Sequence, residues 1–305
     1  MKVYDAVQTR VMLSYRSIAQ EIDRILMLKK LGLAFAPERT VMGWNDSDCL
    51  LVMPAYDDTW LINKLVTLHR SNPKIGLPTI QGEVILIRRS DGERILQLDG
   101  STVTAMRTAA LSLVAIQKLG YQEASVFTVC GSGVQAKSHI EALFEWKPTS
   151  QIHLYARNES SAQAIVNNMK NAGCQIELGR DLNHAIAKSQ VVITATSSQA
   201  PFIQDSMVSK DRQTRVLFVA VGAYRADMAE LSSEIVSRVD GPIVVDTVEG
   251  AMHEAGDLLG AGIQSSQMIG LENIDETQLR GKVHIFKSAG NALWDLAAAR
   301  VAVSG

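Results

Sequence analysis

The pattern of apolar and polar positions changes near residue 104 of this 305-residue chain. Before that point, short β-rich runs are separated by polar or glycine-containing breaks, which is typical of strands joined by turns. In the last run, SDG stands between two β-rich stretches and predicts a hairpin. We therefore predict an α+β unit with a mostly antiparallel sheet from the runs CLLVMPAY, LINKLVTLH and EVILIRRSDGERILQLDGS.

After residue 104, continuous apolar runs alternate with helical segments. The first helical segment, TAMRTAALSLVAIQKLG, ends at Gly120, a plausible C-cap. Apolar strands that alternate with helices are typical of a parallel sheet covered on both faces. The predicted strands are ASVFTVCG, QIHLYAR, SQVVITATS, RVLFVAVGA, PIVVDT and VHIFKSAG, and the predicted helices between them are Gln135–Trp146, Ser160–Ala172, Asp181–Lys188, Met228–Val236 and Val248–Ala255.

The end of the chain, NALWDLAAARVAV, has a helical pattern that we expect to return to the first half. Two domains of ordinary size fit the chain length. The predicted domains are residues 1–114 with 289–305, and residues 115–288.

The composition argues against several classes of protein: nucleic-acid-binding, membrane, secreted and metal-binding proteins. The chain is 47% hydrophobic and 20% charged with a formal net charge of -2, so no basic field favours nucleic acid or an anionic membrane. No window approaches twenty uncharged apolar residues, and Asp5 and Arg10 interrupt the place of a signal peptide core. The three cysteines lack metal-ligand spacing, so we predict no metal and a reducing, cytoplasmic location.

A glycine turn of the form GxGxxA follows the first strand of the second half and opens a helix. In this context the first glycine permits the turn, the second admits a pyrophosphate, and the alanine allows the helix to pack closely on the sheet. The helix N-terminus adds unpaired N–H groups. The alternative is a turn that binds nothing. The residues of this predicted dinucleotide site are Gly131, Ser132, Gly133, Val134, Gln135 and Ala136.

The end of the next strand indicates which dinucleotide is bound. It carries Ala156, Arg157 and Asn158 and no acid that would take a ribose 2′-hydroxyl. Because a guanidinium can hold a 2′-phosphate, NADPH is favoured over NADH. The alternative is that Arg157 is a surface charge and the cofactor is NAD(H). Farther along, the strand end TATSS, residues 194–198, offers hydroxyls to the cofactor, or is simply a polar loop.

Three cations in the first half lie in apolar surroundings: Arg39, Lys64 and Arg107. A buried cation needs an anionic partner, so their convergence would make a pocket for a carboxylate. Taken singly, each is more commonly a solvated surface charge. Asp295 would orient a cation of this pocket, or lie on a helix surface. These residues predict an NADP(H)-dependent oxidoreductase that acts on a small carboxylate.

The sequence resembles the ornithine cyclodeaminase/μ-crystallin family over nearly its whole length. The resemblance implies an α/β fold: a Rossmann NAD(P)-binding domain, here 115–288, and an α+β substrate domain, here 1–114 with 289–305, which pairs two subunits into a homodimer. It implies NAD or NADP as cofactor and a small amino or imino acid as substrate. The matching segments are MPAY, NKLVTLHRSNP, GLPTIQGEVIL, TAMRTAALSLVA, CGSGVQAKSHIEAL, TATSS, VGAYRADMAEL and FKSAGNALWDLAAA.

The resemblance also implies site residues by position. The substrate carboxylate would meet Arg39, Lys64 and Arg107, of which Lys64 and Arg107 would be catalytic and Asp295 a further substrate-site residue. The pyrophosphate would lie over residues 132–135. The adenosine end would meet Arg157 and Asn158, and the nicotinamide end would lie near Thr196, Ser197, Val221 and Ser288.

One position departs from the cyclodeaminases of this family. They resemble each other in carrying an acid/base aspartate where this chain has Tyr224, and a phenol is a poor base at neutral pH. Asp227, expected at the start of the next helix, would substitute for it or act as a cap. The resemblance is therefore to the ketimine reductases, which act on C=N bonds and reduce Δ1-pyrroline-2-carboxylate or Δ1-piperideine-2-carboxylate to L-proline or L-pipecolate.

Three other activities remain open from the sequence. One is ornithine cyclodeamination with NAD, which yields L-proline and ammonia, and another is oxidation of alanine with NAD. The third is a non-catalytic protein that binds NADPH and small ligands. Two histidines, His69 and His139, are expected to have structural or surface roles rather than catalytic ones.

Overall fold

The computed structural model describes residues 1–45 and 48–304, and its contacts divide the chain into two compact units. The first unit comprises Met1–Leu111 and Asn291–Gly305, and the second comprises Ser112–Gly290. The boundaries expected from the sequence fall after residues 114 and 288. Gly305, the last residue of the expected first domain, lies outside the described residues.

The first unit contains a six-stranded sheet. The strands are β1 (Lys2–Val3), β2 (Thr40–Gly43), β3 (Cys49–Tyr56), β4 (Trp60–Leu68), β5 (Ile80–Arg88) and β6 (Arg94–Asp99). They lie in the order β1-β6-β5-β4-β3-β2, and each pairing except the parallel one between β1 and β6 is antiparallel. The predicted SDG hairpin is confirmed between β5 and β6, where Gly92 has a φ of 75°.

Helices pack against this sheet, and two of them were not predicted. The helices are α1 (Ala6–Met12), α2 (Tyr15–Lys30), α3 (Gly100–Lys118), within which the division of the two units falls, and α10 (Ala292–Ser304), with a 3-10 helix at Asn72–Ile75. Side-chain caps from Asp5 and Ser14 begin α1 and α2. Ile18, Ile22 and Ile25 bury one face of α2 at helical spacing, and α10 contacts α2, β3 and β4.

The second unit is built on an eight-stranded sheet in which every described pairing is parallel. Its strands are β7 (Val126–Cys130), β8 (Gln151–Tyr155), β9 (Ile176–Leu178), β10 (Val191–Thr194), β11 (Val216–Ala220), β12 (Ile243–Val245), β13 (Met268–Gly270) and β14 (Val283–Lys287). The order is β13-β12-β14-β11-β10-β7-β8-β9. The α/β prediction is confirmed, because one unit has a parallel sheet and the other a mostly antiparallel sheet. In the parallel sheet, the short outer strands β9 and β13 were missed.

Six helices connect these strands. They are α4 (Val134–Trp146), α5 (Glu159–Asn171), α6 (Leu182–Lys188), α7 (Ser233–Val236), α8 (Val248–Glu254) and α9 (Gly256–Gly260), and 3-10 helices lie at Asp205–Met207, Ser265–Gln267 and Glu276–Gln278. Among the described residues, no helix combines the length and the apolar character needed to cross a membrane.

The helix predicted over Met228–Val236 was wrong in its first half, because only Ser233–Val236 is helical. The N–H groups of Glu230 and Leu231 donate to the Asp257 carboxylate, and the Glu230 carbonyl accepts from Phe202 and Ile203. These tertiary hydrogen bonds replace the intrahelical ones. Asp227 consequently lies in a turn and not at a helix start, and its carboxylate is 3.0 Å from the Arg225 guanidinium.

Candidate functional site

Lys64 occupies a core-facing position of β4, because side chains along this strand alternate between buried and half-buried. Its side chain is only 3% exposed. The ammonium donates to the Thr104 hydroxyl at 2.6 Å and to Asp295 Oδ1 at 2.8 Å. Thr104 in turn donates to the Gly100 carbonyl at 2.6 Å, so its oxygen is left to accept from Lys64.

Asp295 brings two of the predicted cations together. It lies in the first turn of α10 with no exposed side-chain surface, so it is not a helix-surface carboxylate. Arg107 Nε, from α3, lies 3.3 Å from the same Oδ1 that binds Lys64, but not in line for a hydrogen bond. Within the described chain, Arg107 Nε and Asp295 Oδ2 are buried without a hydrogen-bond partner. Buried polar atoms of this kind are suited to a polar ligand.

Several charges act on Lys64. Burial lowers the pKa of Lys64, Asp295 raises it, and the positive charges of Arg107 and Arg39 lower it further. Arg39 precedes β2 and is half-buried. Asp295 thus contacts two cations, Lys64 and Arg107, and their positive charge favours binding of an anion. We call Arg39, Lys64, Arg107 and Asp295 the cation cluster.

The glycine turn has the geometry that a pyrophosphate needs. Gly131 has a φ of 128°, and a Cβ there would lie 2.5 Å from the Ala195 carbonyl. A Cβ on Gly133 would meet no atom within 4 Å, so the space over this residue is open. Gly133 is the N-cap of α4, and no side chain caps this helix N-terminus. Ala136 is fully buried beneath the turn.

The other predicted cofactor residues lie at the carboxyl ends of strands, or in the first residues of a following helix. The strand order of this sheet reverses between β7 and β10, and dinucleotides generally bind parallel sheets at such a reversal. Arg157 is exposed, and Asn158 caps α5 by accepting from the Ser161 N–H at 3.0 Å. Ser132 and Gln135 are half-buried, Val134 and Ser197 are exposed, and Val221 and Ser288 are buried.

Two buried carboxylates that the sequence analysis missed hold these strand ends. Glu230 accepts from the N–H and the hydroxyl of Thr196, both at 2.7 Å. Asp246 accepts from the Ser288 hydroxyl and from the Gly290 N–H, both at 2.8 Å. The signal for Asp246 was present in VVDT, since an acid there directly follows an apolar strand. Glu230 had no such signal, because it lies in a segment with a helical pattern.

Glu230 belongs to a larger buried set of charges. Lys287 Nζ lies 2.7 Å from Asp257 Oδ2, and neither side chain has exposed surface. Burial raises the pKa of Glu230, whereas the charge of Lys287 and the hydrogen bonds from Thr196 lower it. In the sequence, the lysine within the otherwise apolar segment VHIFKSAG was the one indication of these buried charges.

His69 and His139 both contact other side chains of the protein. His139 Nδ1 lies 2.7 Å from the Gln135 carbonyl and Nε2 lies 2.9 Å from the Ser112 hydroxyl, so Nδ1 carries the proton. Burial lowers the pKa of His139 to about 4, which keeps it neutral. His69 packs its ring on Trp44 at 5.3 Å. Within the described ranges, no group of three His, Cys, Asp or Glu side chains could hold a metal ion.

Known proteins resemble this chain along nearly its whole length. It is 35% identical over 303 residues to Δ1-pyrroline-2-carboxylate reductase 1 of Burkholderia multivorans, covering 98% of this chain and 94% of that protein. It is 34% identical, with the same coverage, to the Δ1-pyrroline-2-carboxylate/Δ1-piperideine-2-carboxylate reductase of Azospirillum brasilense.

One solved structure also matches this chain over its whole length. The Δ1-pyrroline-2-carboxylate reductase of Thermococcus litoralis, in complex with NADH and L-proline, matches with a TM-score of 0.87 and 26% identity, over all of this chain and 97% of that one. The model of the ornithine cyclodeaminase/mu-crystallin family matches residues 1–303. The resemblance inferred from the sequence is thus confirmed, and the chain belongs to the ornithine cyclodeaminase/mu-crystallin family.

Proposed function

We propose that this protein is an NADPH-dependent reductase of cyclic 2-imino carboxylates, which converts Δ1-pyrroline-2-carboxylate, Δ1-piperideine-2-carboxylate or both to L-proline or L-pipecolate. The observation that carries the proposal is the cation cluster, in which Lys64 and Arg107 meet at the buried Asp295 carboxylate and Arg39 adds positive charge near Lys64. The names of the relatives from Burkholderia multivorans and Azospirillum brasilense support the same substrate class.

The cation cluster would bind the substrate through its carboxylate. Arg107 has a buried Nε without a hydrogen-bond partner among the described residues, and a guanidinium binds a carboxylate in a directed, charge-assisted way. Arg39 adds a second guanidinium at the half-buried side. Asp295 would fix the positions of Lys64 and Arg107 rather than contact the carboxylate, because two like charges repel.

Lys64 would supply the proton that the reaction needs. Reduction of the C=N bond adds a hydride to carbon C2 and leaves a proton on the ring nitrogen. The nicotinamide cofactor supplies the hydride when bound. Protonation of the nitrogen makes C2 electrophilic, and an ammonium whose pKa is lowered by burial gives up its proton more readily than an exposed one, directly or through a water molecule.

The cofactor would lie on the second unit. Residues Gly131–Ala136 would bind the pyrophosphate, and Thr196, Ser197, Val221 and Ser288 would border the nicotinamide end. Arg157 and Asn158 would meet the adenosine end, where Arg157 favours the 2′-phosphate of NADPH, with NADH as the second choice. Three free cysteines, of which Cys130 and Cys174 are buried, suit the reducing cytoplasm.

We expect Lys64→Met to lower kcat for cyclic ketimines by roughly 10²–10⁴-fold, because the variant keeps the length of the side chain but loses the proton donor. The assay is NADPH oxidation with five- and six-membered ketimines, beside ornithine with NAD. Lys30→Met, at the exposed end of α2, is the matched control and should retain full activity. Near-normal turnover by Lys64→Met would reject the proposed role.

The same assay of the unmodified protein tests the other activities. Ammonia release from ornithine without a reductant would show cyclodeamination, and cofactor binding without turnover would show a binding protein.

The pH profile provides a second test of Lys64. Activity should fall as pH rises through the pKa of Lys64, because only the protonated amine donates. Asp295 raises that pKa, so Asp295→Asn should lower it and move the alkaline limb of kcat to lower pH. Asp91→Asn, on the exposed hairpin, should leave the limb in place. An unmoved limb in Asp295→Asn would mean that another group donates the proton.

Arg157→Ala should raise KM for NADPH by about tenfold or more and leave KM for NADH nearly unchanged, because only NADPH carries the 2′-phosphate. The ratio of kcat/KM for the two cofactors is the measurement. An equal loss with both cofactors would contradict the assignment of Arg157 to the 2′-phosphate.

We also propose a homodimer that pairs through the first unit. β2 lies at one end of the sheet order and exposes Val41, Met42 and Trp44, so both its backbone and its apolar side chains are available to a second copy. Light scattering should give about twice the chain mass of 33.2 kDa, and Met42→Glu should shift the protein towards the monomer. A monomeric mass for the unmodified protein would refute the proposal.

A further inference from the structure

The ends of two neighbouring strands in the second unit are joined through one side chain. β10 ends at Thr194, and the Thr194 hydroxyl donates to Glu230 Oε2 at 2.8 Å. Two residues later, Thr196 donates twice to Glu230 Oε1. After β11, the Gly222 N–H donates to Oε2 at 2.9 Å and is shared with the Thr194 carbonyl at 3.1 Å. Four donors from two strand ends therefore converge on one carboxylate.

The backbone leaves room for this carboxylate only because residue 222 is glycine. A Cβ on Gly222 would lie 2.4 Å from Glu230 Oε1 and 2.2 Å from the Thr196 carbonyl. Any larger residue would force apart the two strand ends that Glu230 holds together. The sequence therefore provides both the carboxylate and the space that it occupies.

The backbone hydrogen bonds favour the ionised form of Glu230, whereas burial raises its pKa. Each of its oxygens accepts a backbone N–H, from Thr196 on one side and Gly222 on the other, and a backbone N–H can only donate. Lys287, paired with Asp257, contributes the nearby positive charge that offsets the cost of burying the carboxylate.

Asp257 fixes the position of Glu230 from the other side. Its Oδ1 accepts the backbone N–H of Glu230 itself and that of Leu231 at 2.8 Å. Its Oδ2 lies against Lys287, the last residue of β14. Asp257 thereby fixes the backbone of Glu230 relative to the end of β14. The Glu230 side chain in turn fixes Thr196 and Gly222 through its hydrogen bonds.

We propose that Glu230 is a positioning residue for the nicotinamide end of the cofactor. This inference rests on the proposed function, in which Thr196 and Val221 border the nicotinamide. Thr196 donates its hydroxyl hydrogen to Glu230 and accepts the Ser198 N–H at 3.3 Å, so the one lone pair that remains on that oxygen can only accept. The nicotinamide carboxamide carries N–H donors that suit such an acceptor. Glu230 would thus set both the place and the polarity of the Thr196 hydroxyl.

The test separates the nicotinamide from the rest of the cofactor. Calorimetric titration compares NADPH with 2′-phospho-ADP-ribose, which contains every part of NADPH except the nicotinamide. In Glu230→Gln the amide nitrogen cannot accept from the Gly222 N–H or from Thr194, so the strand ends should shift. We expect the Kd for NADPH to rise about tenfold or more, and the Kd for 2′-phospho-ADP-ribose to change less than about twofold.

Two further variants control for damage to the fold. Glu234→Gln alters an exposed carboxylate four residues along the chain and should change neither Kd. Thr194→Val removes one of the four donors without altering the side-chain volume. It should weaken NADPH binding in the same direction by about two- to fivefold, so the proposal stays testable if Glu230→Gln does not fold.

Equal weakening of both ligands in Glu230→Gln and Thr194→Val would overturn the proposal, because it would indicate a general packing role. Unchanged binding of both would overturn it as well. These outcomes leave the proposed function intact, since the unmodified protein would still bind NADPH and reduce ketimines. Failure of the unmodified protein to bind NADPH would reject the proposed function and this inference together.

Discussion

The ion pair between Lys64 and Asp295 is the interaction on which the first unit depends. It joins β4 to α10 across 231 positions of the sequence, and both side chains are buried. Removing either partner would leave an uncompensated charge in the interior, which is far more costly than the loss of a surface ion pair. A core of apolar residues would be stable without this pair, so the proposed chemistry gives a reason for its presence: an ammonium held away from water beside two guanidinium groups.

In the second unit, buried carboxylates likewise join segments that are distant in sequence, here at the ends of parallel strands. Asp246, Asp257 and Glu230 are all buried, and the hydrogen bonds that they accept come mainly from backbone N–H groups and hydroxyls in the segments that follow strands. Such segments lack the repeating hydrogen bonds of a helix or a sheet, so side-chain acceptors must fix them. A rigid edge of the sheet results, on which a ligand can meet preformed positions instead of ordering a loop at the time of binding.

The sequence was informative where a pattern was local and repeated. Six of the eight parallel strands, the hairpin at Gly92 and the glycine turn follow from apolar runs and turn residues alone. The N-terminal helices α1 and α2 were missed although the spacing of Ile18, Ile22 and Ile25 indicated α2. The segment before Ser233 was misjudged because Asp257, distant in sequence, takes the N–H groups that a helix would use. The Lys64–Asp295 contact likewise joins distant segments, so the sequence supplied its members as candidates but no distance between them.

The discontinuous course of the first unit has a consequence for its biosynthesis. A ribosome produces residues 1–111 first, then the whole of the second unit, and only afterwards α10, which packs on α2, β3 and β4. Until α10 emerges, the ammonium of Lys64 lacks its counter-ion and the apolar faces of α2 and the sheet are uncovered. The second unit is therefore synthesised in full before the first unit receives α10, and premature termination before residue 292 would leave the cluster without its carboxylate.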